Sequence, residues 1–369
     1  MGQSGTFIIP HFYIKTLNFK KVNLKNTKIV AGTLALAAIS LFADAQKVDL
    51  VNNAKDKKVD VIIDGKPFTS YYYPGEDVLK KAVLYPVRTA KGTLVTRGWP
   101  LDPRGSERVD HPHHVGIWLN YEDVNGNDYW NNSNAVDHVK RAYGTIRHTG
   151  ITSMKSGKDK GVLTVTADWV DRDNKLTLKE VTTYTFSGKG DSRIMDRATT
   201  LTAVNGDVAM PDIKDGMFAI RVARELEIPS NKPEIFTDAA GIATKVPVMN
   251  NAGITGNYRN SNGIEGEDVW AKRAIWCNLT GKIKDEDISI AIIDHPKNPG
   301  YPAYWHARGY GLFAVNPLGQ KAFSNGKDVL NFSLKKGEST TFRYRMVIAS
   351  EHLSDTSLNT EAAAFAKVK

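Results

Sequence analysis

Side chains able to carry out chemistry are concentrated in one short stretch of the sequence, residues 97–120. The stretch contains three histidines, three arginines, three carboxylates and two tryptophans. Charged and imidazole groups are costly to bury, so this density is unusual for a core strand and favours a functional loop. Its prolines and glycines predict a loop, with a strand only at 115–120. We therefore expect a binding or catalytic site on a loop held by a rigid strand.

The histidines of this stretch are candidates for proton transfer or for metal binding. His111 and His113 form a His-x-His pair, and on a β framework imidazoles two residues apart project from one face, as many metal sites require. With a strand from residue 115 onward, His113 and His114 should point to opposite faces, so that only one of them faces the site. Three interpretations remain open: metal ligands, metal-free catalytic or substrate-binding groups, and hydrogen-bond partners of nearby carboxylates.

Aromatic side chains alternate with amides and carboxylates over the next segment, residues 116–133. Carbohydrate sites use this mixture, because flat rings stack on sugar C–H surfaces while amides and carboxylates hydrogen-bond the hydroxyls. The alternative is a polar loop capped by buried tryptophans. The segment supplies four candidate substrate-binding residues: Trp118, Asn120, Trp130 and Asn131.

A second stretch of similar composition, residues 294–311, lies between two predicted strands and is stiffened by three prolines. Its candidates are His306 for proton transfer and three residues for substrate binding: Tyr304, Trp305 and Arg308. Two such loops that are far apart in sequence are best explained if both face one pocket. We therefore predict that they form its two walls.

An acidic cluster within residues 258–273 offers a further acid or base. Glu265 is the candidate there, and it could act beside a histidine. The alternative is a solvated turn with surface ion pairs. A glycoside hydrolase would more often use two carboxylates, for which Glu107 and Glu265 are the candidates.

The elements that must position these side chains are predicted to be β-strands. Residues 161–170 and 177–186 are rich in β-branched and aromatic residues and are joined by a turn, which predicts a hairpin. Similar segments recur along the chain, and clear helical periodicity appears only at 355–368. The sequence therefore predicts an all-β fold, a large antiparallel β-sandwich of the aldose-epimerase supersandwich type, with a short C-terminal helix. Residues 46–369 are predicted to form a single domain.

The first 45 residues have a different composition. Lysines precede an apolar run at 29–43, and Ala43 and Ala45 are the small residues that a signal peptidase requires. We predict a signal peptide at 1–45 and a periplasmic or secreted protein without a stable membrane span, the alternative being an uncleaved anchor. Residues 46–369 carry 44 Lys and Arg against 39 Asp and Glu. This mild excess gives no support for nucleic-acid binding.

Several of these motifs resemble the bacterial family labelled DUF6807, or PmoA-like. They are YPVR at 85–88, VDHPHHVGIW at 109–118, DYWNN at 128–132 and YWHARGYG at 304–311. Members of this family resemble exported proteins of bacteria that degrade glycans, where oxidation to keto-sugars and later cleavage are common themes. The chain after residue 45 has no apolar run of membrane-spanning length, so it does not resemble a subunit of an integral-membrane monooxygenase. The resemblance supplies no catalytic residues.

Taken together, these features predict an exported carbohydrate-active enzyme, a lyase, epimerase or hydrolase of a sugar or keto-sugar. His113 or His114, with His306, would exchange protons, and the substrate would be a small molecule or an oligosaccharide. Three arginines would stabilise developing negative charge, and three tryptophans would form a stacking platform: Arg97, Arg104 and Arg308, with Trp118, Trp130 and Trp305.

Two alternatives remain open. In one, the protein is an enzyme that depends on a divalent metal ion bound by His111, His113 and His306. In the other, it is a glycan-binding module without catalytic activity. The first interpretation requires no cofactor, and the oligomeric state is left open by the sequence.

Overall fold

Two eight-stranded antiparallel sheets make up most of the fold. The computed structural model describes residues 45–368, so the predicted signal peptide lies almost wholly outside the described residues. The first sheet contains, in spatial order, β1 (Val48–Asn53), β2 (Lys58–Ile63), β3 (Lys66–Tyr72), β4 (Val83–Leu84), β5 (Ile117–Tyr121), β11 (Gly216–Arg221), β16 (Leu312–Asn316) and β15 (Tyr304–Arg308).

The second sheet contains, in spatial order, β12 (Asn257–Asn260), β13 (Trp276–Ile283), β14 (Glu286–Asp294), β18 (Ser339–Ala349), β9 (Ser192–Ala203), β8 (Leu176–Lys189), β7 (Gly161–Val170) and β6 (Thr145–Lys155). A small two-stranded sheet pairs β10 (Val208–Met210) with β17 (Phe332–Leu334). The helices are α1 (Gln320–Phe323) and α2 (Asp355–Phe365), with three single 3-10 turns, Ala54–Asp56, Arg224–Leu226 and Gly266–Val269.

The inner faces of the two sheets enclose the main core. Burial alternates residue by residue along β7 and β9, as expected for strands with one face on the core and one toward solvent. The ring of Phe218 from the first sheet stacks on that of Tyr344 from the second, with centroids 5.0 Å apart. The predicted antiparallel β-sandwich, the β7–β8 hairpin and the C-terminal helix are therefore confirmed.

The outer faces of the two sheets are covered differently. Helix α2 packs on the outer face of the second sheet, where Leu358 and Phe365 join a small apolar cluster with Trp276. Long loops cover the outer face of the first sheet, around a cluster that includes Trp118 and Trp130. Among residues 45–368, no helix is both long and apolar enough to cross a membrane.

Candidate functional site

The register of the first sheet brings the two predicted loop regions onto one surface. Trp118 on β5 lies opposite Ala219 on β11, which lies opposite Ala314 on β16, which in turn lies opposite His306 on β15. Residues two apart on a strand share a face, so three more predicted residues lie on this outer face: Asn120, Tyr304 and Arg308. Both loop regions therefore contribute side chains to one sheet face.

The turn that carries the histidines is held in place by Arg97. Its buried guanidinium donates hydrogen bonds to the backbone carbonyls of Arg108, Asp110, His111 and His114, at 2.8–3.1 Å. Only 2% of the residue is exposed. Arg97 was predicted to bind substrate, and the structure instead makes it an internal support, because nearly all of its donors are committed to the turn.

Asp110 lies at the centre of the site and binds three partners. Its Oδ1 accepts hydrogen bonds from Arg97 and from Arg221 of β11, each at 2.6 Å. Its Oδ2 lies 2.7 Å from Nδ1 of His111. Burial alone would raise the pKa of Asp110, but Arg221, the hydrogen bond from His111 and Arg97 outweigh it and hold the pKa well below its usual range. Because Asp110 is a carboxylate, His111 Nδ1 must be the donor, and Nε2 is the acceptor when the ring is neutral.

His111 lies inside a column of four stacked rings. Its ring is parallel to Tyr310 on one side and to His114 on the other, with centroids 5.1 and 4.7 Å away, and His114 stacks on Trp118 at 5.2 Å. The faces of the His111 ring are therefore covered, yet 41% of its side chain is exposed. Its backbone has a φ of +43°, a left-handed conformation that is costly outside glycine and is found preferentially at functional sites.

His113 and His114 do not point to opposite faces, and that prediction is wrong. Their rings contact each other edge to face, with centroids 4.3 Å apart. The reason is local: β5 begins only at Ile117, and Gly116, with a φ of +58°, still belongs to a turn. The strand alternation that would have separated the two side chains has therefore not yet started.

His113 and His114 are also buried and uncharged. Burial lowers the pKa of both imidazoles well below the usual value, and neighbouring cationic groups lower it further. His114 Nδ1 accepts a 3.3 Å hydrogen bond from Arg221, so Nε2 carries the hydrogen. Within residues 45–368, that Nε2 and both ring nitrogens of His113 have no hydrogen-bond partner. The exposed imidazole of this turn is His111, for which metal binding, metal-free chemistry and hydrogen bonding to a carboxylate were all left open by the sequence.

The tryptophans do not form the predicted stacking platform. Trp118 is 0% and Trp130 is 1% exposed, and their rings pack against each other with centroids 5.4 Å apart. Trp305 points to the opposite side of β15, into the main core, where its Nε1 donates to the carbonyl of Ala274. The half-buried ring of Tyr310, at the outer end of the column, is nearer to solvent than any of them.

His306 belongs to a second polar cluster on the same sheet face. Its Nδ1 lies 3.6 Å from Oδ1 of Asp215, and burial lowers the pKa of His306 to about 4 although Asp215 acts in the opposite direction. Arg141 joins this region to Asp128, with contacts of 2.7 Å to Glu122 and 2.9 Å to Asp128. Burial raises the pKa of Glu122 to about 7. These groups are dispersed in the sequence, so only the register of the sheet assembles them.

Three other predicted substrate-binding residues hold loops or neighbouring side chains. Asn120 donates to the carbonyl of Tyr129 at 2.6 Å, and Asn131 donates to Asp128 at 2.9 Å. The hydroxyl of Tyr304 donates to Asp328 at 2.7 Å. Each of these donor groups therefore has a partner within the protein, whereas Oδ1 of Asn120 is buried and has no hydrogen-bond partner among the described residues.

The last three residues predicted to form the site lie in three different parts of the structure. Arg308 is exposed, and its guanidinium lies 5.9 Å from the ring centroid of Tyr310, so it borders the ring column. Arg104 pairs with Glu107 and lines a separate cavity of about 550 Å³. Glu265 is exposed and pairs with Arg259 at 2.6 Å, as in the surface ion-pair alternative.

The described residues contain no group of three or more His, Cys, Asp or Glu side chains arranged to hold a metal ion. The three proposed ligands therefore do not form such a group: His111 is bound to Asp110, His113 faces His114, and His306 faces Asp215. The chemistry that the geometry does favour is proton transfer at His111 with Asp110 behind it. Hydrogen bonding of these histidines to nearby carboxylates is one of the interpretations that the sequence left open, and the structure shows it for His111.

Comparison with known proteins identifies the family but no characterised relative. Residues 58–363 match the model described as "Family of unknown function (DUF6807)". The matched description does not include the label PmoA-like. No curated protein matches the chain.

Solved structures with similar architecture are distant. The galactosidase domain of alpha-galactosidase-sucrose kinase, AgaSK, has 10% identity and a TM-score of 0.36, over 83% of this chain and 42% of that chain. The GH36 alpha-galactosidase AgaA from Geobacillus stearothermophilus has 11% identity and a TM-score of 0.35, over 83% and 41%. The protein HI1317 has 11% identity and a TM-score of 0.27, over 82% and 99%. The chain thus spans about two-fifths of the length of the two galactosidase chains.

Proposed function

The chain belongs to the DUF6807 family, a family of unknown function, and we propose that it is a carbohydrate-active enzyme in which His111 transfers the proton. The observation that carries this proposal is the 2.7 Å hydrogen bond between Asp110 Oδ2 and His111 Nδ1. A carboxylate that holds one imidazole nitrogen orients the ring and stabilises the imidazolium formed on proton uptake. The other ring nitrogen, Nε2 of the partly exposed His111 side chain, then serves as a general base and, once protonated, as the acid that returns the proton.

The surroundings of His111 support a reaction that develops negative charge on the substrate. Arg308 is exposed beside Tyr310 and can bind an oxyanion. Arg221 is buried, and its role is to hold Asp110 and His114 rather than to contact substrate. An exposed imidazole and an exposed arginine that both lie against the Tyr310 ring favour proton exchange at a carbon next to a carbonyl, as in epimerisation or elimination. Hydrolysis more often uses two opposed carboxylates.

The substrate class in this proposal is a sugar or keto-sugar. It rests on the resemblance of the family to exported proteins of bacteria that degrade glycans, because the structure buries the tryptophans of 116–133 that were expected to stack on a sugar. A periplasmic or secreted location is part of the same proposal and rests on the predicted signal peptide. The sugar would lie against the exposed edge of the ring column rather than on the buried tryptophans.

The test is proton exchange measured by NMR in deuterated water. The protein would be incubated with aldoses, keto-sugars and glycosides, and loss of C–H signal, new alkenes and free reducing ends would be followed. For any sugar that turns over, His111→Gln should reduce turnover about 100-fold or more, since general acid–base groups contribute at least that much. The control His352→Gln alters an exposed histidine after β18 and should leave turnover unchanged.

Three outcomes are informative. Equal turnover in wild type and His111→Gln contradicts the assigned role. Sugar binding without any turnover by the wild-type protein would indicate a glycan-binding module instead. Turnover that is lost in His111→Gln, together with unchanged sugar affinity, is the result that the proposal requires.

A further inference from the structure

A cavity of about 370 Å³ lies beside the histidine turn, between the connection from β3 to β4 and the start of β6. One wall is aromatic, with the rings of Tyr73 and His148 stacked at 4.1 Å between centroids. Other walls are apolar and include Leu79, Ala82 and Ile146. A cavity of this size accommodates a small organic molecule.

The lysine that lines this cavity, Lys81, is unusual because it is buried without a counter-ion. Only 5% of the residue is exposed. Its Nζ donates one hydrogen bond, of 2.8 Å, to the backbone carbonyl of His113, which leaves two N–H groups free of that contact. Asp128 is the carboxylate whose charge acts on Lys81, but it is paired with Arg141 at 2.9 Å, and no ion pair among the described residues includes Lys81. Burying an ammonium group that has no ion-pair partner is unfavourable, so such a group is a candidate functional site.

The other charged groups of the cavity lining do not form an ion pair with Lys81, whose Nζ lies 5.4 Å from the ring centroid of Trp118. Glu76 is the carboxylate in its lining, and it is already paired with Arg147 of β6. Lys57 also lines the cavity and donates to the carbonyl of Pro74 at 2.8 Å. Two lysines and one arginine thus face a single carboxylate, so the lining has an excess of positive charge.

We propose that this cavity binds a small organic carboxylate, with the anion on Lys81 and the apolar part of the ligand against Tyr73 and Ile146. The ligand supplies the counter-ion that the protein itself does not place beside Lys81. The aromatic and aliphatic walls favour an anion with an apolar body over a small inorganic ion. This site is separate from the exposed edge of His111, so the proposal does not depend on the function proposed for that residue.

Anion binding should depend on pH through Lys81. Burial lowers the pKa of the lysine to about 7, although Asp128 acts in the opposite direction. His148 and His113 also lie against this region, and burial lowers the pKa of each, which favours their neutral forms. The remaining charged groups of the lining are Lys57 and the Glu76–Arg147 pair. The fraction of charged Lys81 therefore controls affinity, and the dissociation constant should rise about tenfold from pH 6 to pH 8.

The probes are benzoate and benzamide, which share shape and differ in charge. Their binding to the full-length protein would be measured by ligand-observed NMR or calorimetry at pH 6 and pH 8. Benzoate should bind at pH 6 at least tenfold more tightly than benzamide and should weaken about tenfold at pH 8. Lys81→Met should abolish this preference, while Lys55→Met, which removes an exposed lysine outside the cavity lining, should not.

The proposal is overturned if benzoate and benzamide bind equally, if neither binds at millimolar concentration, or if Lys81→Met retains the preference for benzoate. Thermal unfolding of both variants would show whether they are folded. Should Lys81→Met fail to fold, the comparison of the two probes at two pH values in the wild-type protein decides the question alone. Benzoate binding that is independent of pH is also a negative result.

Discussion

Asp110 has both a structural and a chemical role, and the two can be separated. Its carboxylate is the shared partner of Arg97 and Arg221, whose side chains are 1% and 0% exposed. Removing one partner of a buried ion pair leaves uncompensated charge in the protein interior. Asp110→Asn keeps the size of the side chain but removes its charge, so we expect a loss of about 3 kcal/mol in the free energy of unfolding in urea at pH 7.

The matched control for this substitution is Asp287→Asn. Asp287 forms a surface ion pair with Lys282 at 3.3 Å, and both side chains are 49% exposed, so its loss should change stability by less than about 0.5 kcal/mol. The pKa of Asp110 is lowered in the fold, so its stabilising contribution is present above about pH 4 and is lost below it. The difference in unfolding free energy between wild type and Asp110→Asn should therefore be smaller at pH 3 than at pH 7. A constant difference would contradict this account of Asp110.

At the scale of residues, the density of titratable groups in 97–120 predicts the turn in which the candidate site lies. The imidazole that the structure exposes in this turn is His111, whereas His113 and His114 are buried. Which imidazole is exposed depends on where β5 begins and on the left-handed backbone of His111, neither of which follows from residue types. Adjacent Asp110 and His111 were visible in the sequence. The two arginines that hold Asp110 in place, Arg97 and Arg221, lie 13 residues before it and 111 residues after it in the chain.

At the scale of elements, the turn before β5 determines how Trp118 and the histidines meet. Gly116 has a φ of +58°, and a Cβ added there would lie 2.2 Å from the backbone oxygen of Leu84 on β4. A side chain at this position would therefore force β4 and β5 apart in addition to straining the backbone. We expect Gly116→Ala to lose about 3 kcal/mol of stability, through left-handed strain and a clash that rigid backbone cannot relieve.

The control for this prediction is Gly126→Ala. Gly126 also has a left-handed backbone, with a φ of +79°, but no atom lies within 4 Å of the position that its Cβ would take. It should lose only the conformational cost, about 1 kcal/mol. Urea unfolding of both variants measures the difference. Equal losses would show that the contact with Leu84 has no energetic importance.

Individual strands were more predictable from the sequence than their pairing within the sheets. Alternating β-branched residues correctly placed the β7–β8 hairpin, because both strands have one face on the core and are joined by a short turn. The row from Trp118 to His306 joins four strands, of which only β15 and β16 are consecutive in the chain. The side-chain pattern along a strand indicates which of its faces is buried, but not which distant strands pair with it. The prediction that the two loop regions share one surface therefore depended on composition alone.

At the scale of the whole molecule, buried titratable groups should make stability depend on pH near neutrality. His306 has a pKa of about 4 in the fold, because burial disfavours its charged form. An unfolded histidine titrates near 6.5, so between pH 6.5 and 4 the unfolded state binds more protons, and stability falls as the pH falls. Below pH 4 the ring is protonated in both states and this dependence ends. His113 and His114 act in the same direction.

Two buried carboxyl groups change the stability in the opposite direction to the histidines within the same pH range. Burial raises the pKa of Glu122 and of Asp294 to about 7, so both take up protons in the folded state before they do in the unfolded state. This contribution stabilises the fold as the pH falls from 7 toward 4. The pH dependence of the wild-type unfolding free energy is therefore a sum of opposing contributions. The contribution of one histidine has to be measured as the difference in unfolding free energy between the wild type and a variant that lacks it.

His306→Gln isolates that effect, because glutamine retains a polar side chain but does not titrate. From the folded and unfolded pKa values, His306 should lower the unfolding free energy of the wild type by about 2 kcal/mol more at pH 5 than at pH 7. The difference in unfolding free energy between wild type and His306→Gln should therefore shift by about that amount across the interval, in urea titrations at the two pH values. The exposed-site variant His352→Gln should show no comparable shift. A difference for His306→Gln that is independent of pH would mean that His306 is not held neutral beside Asp215, and the second polar cluster would then have a different charge state from the one described.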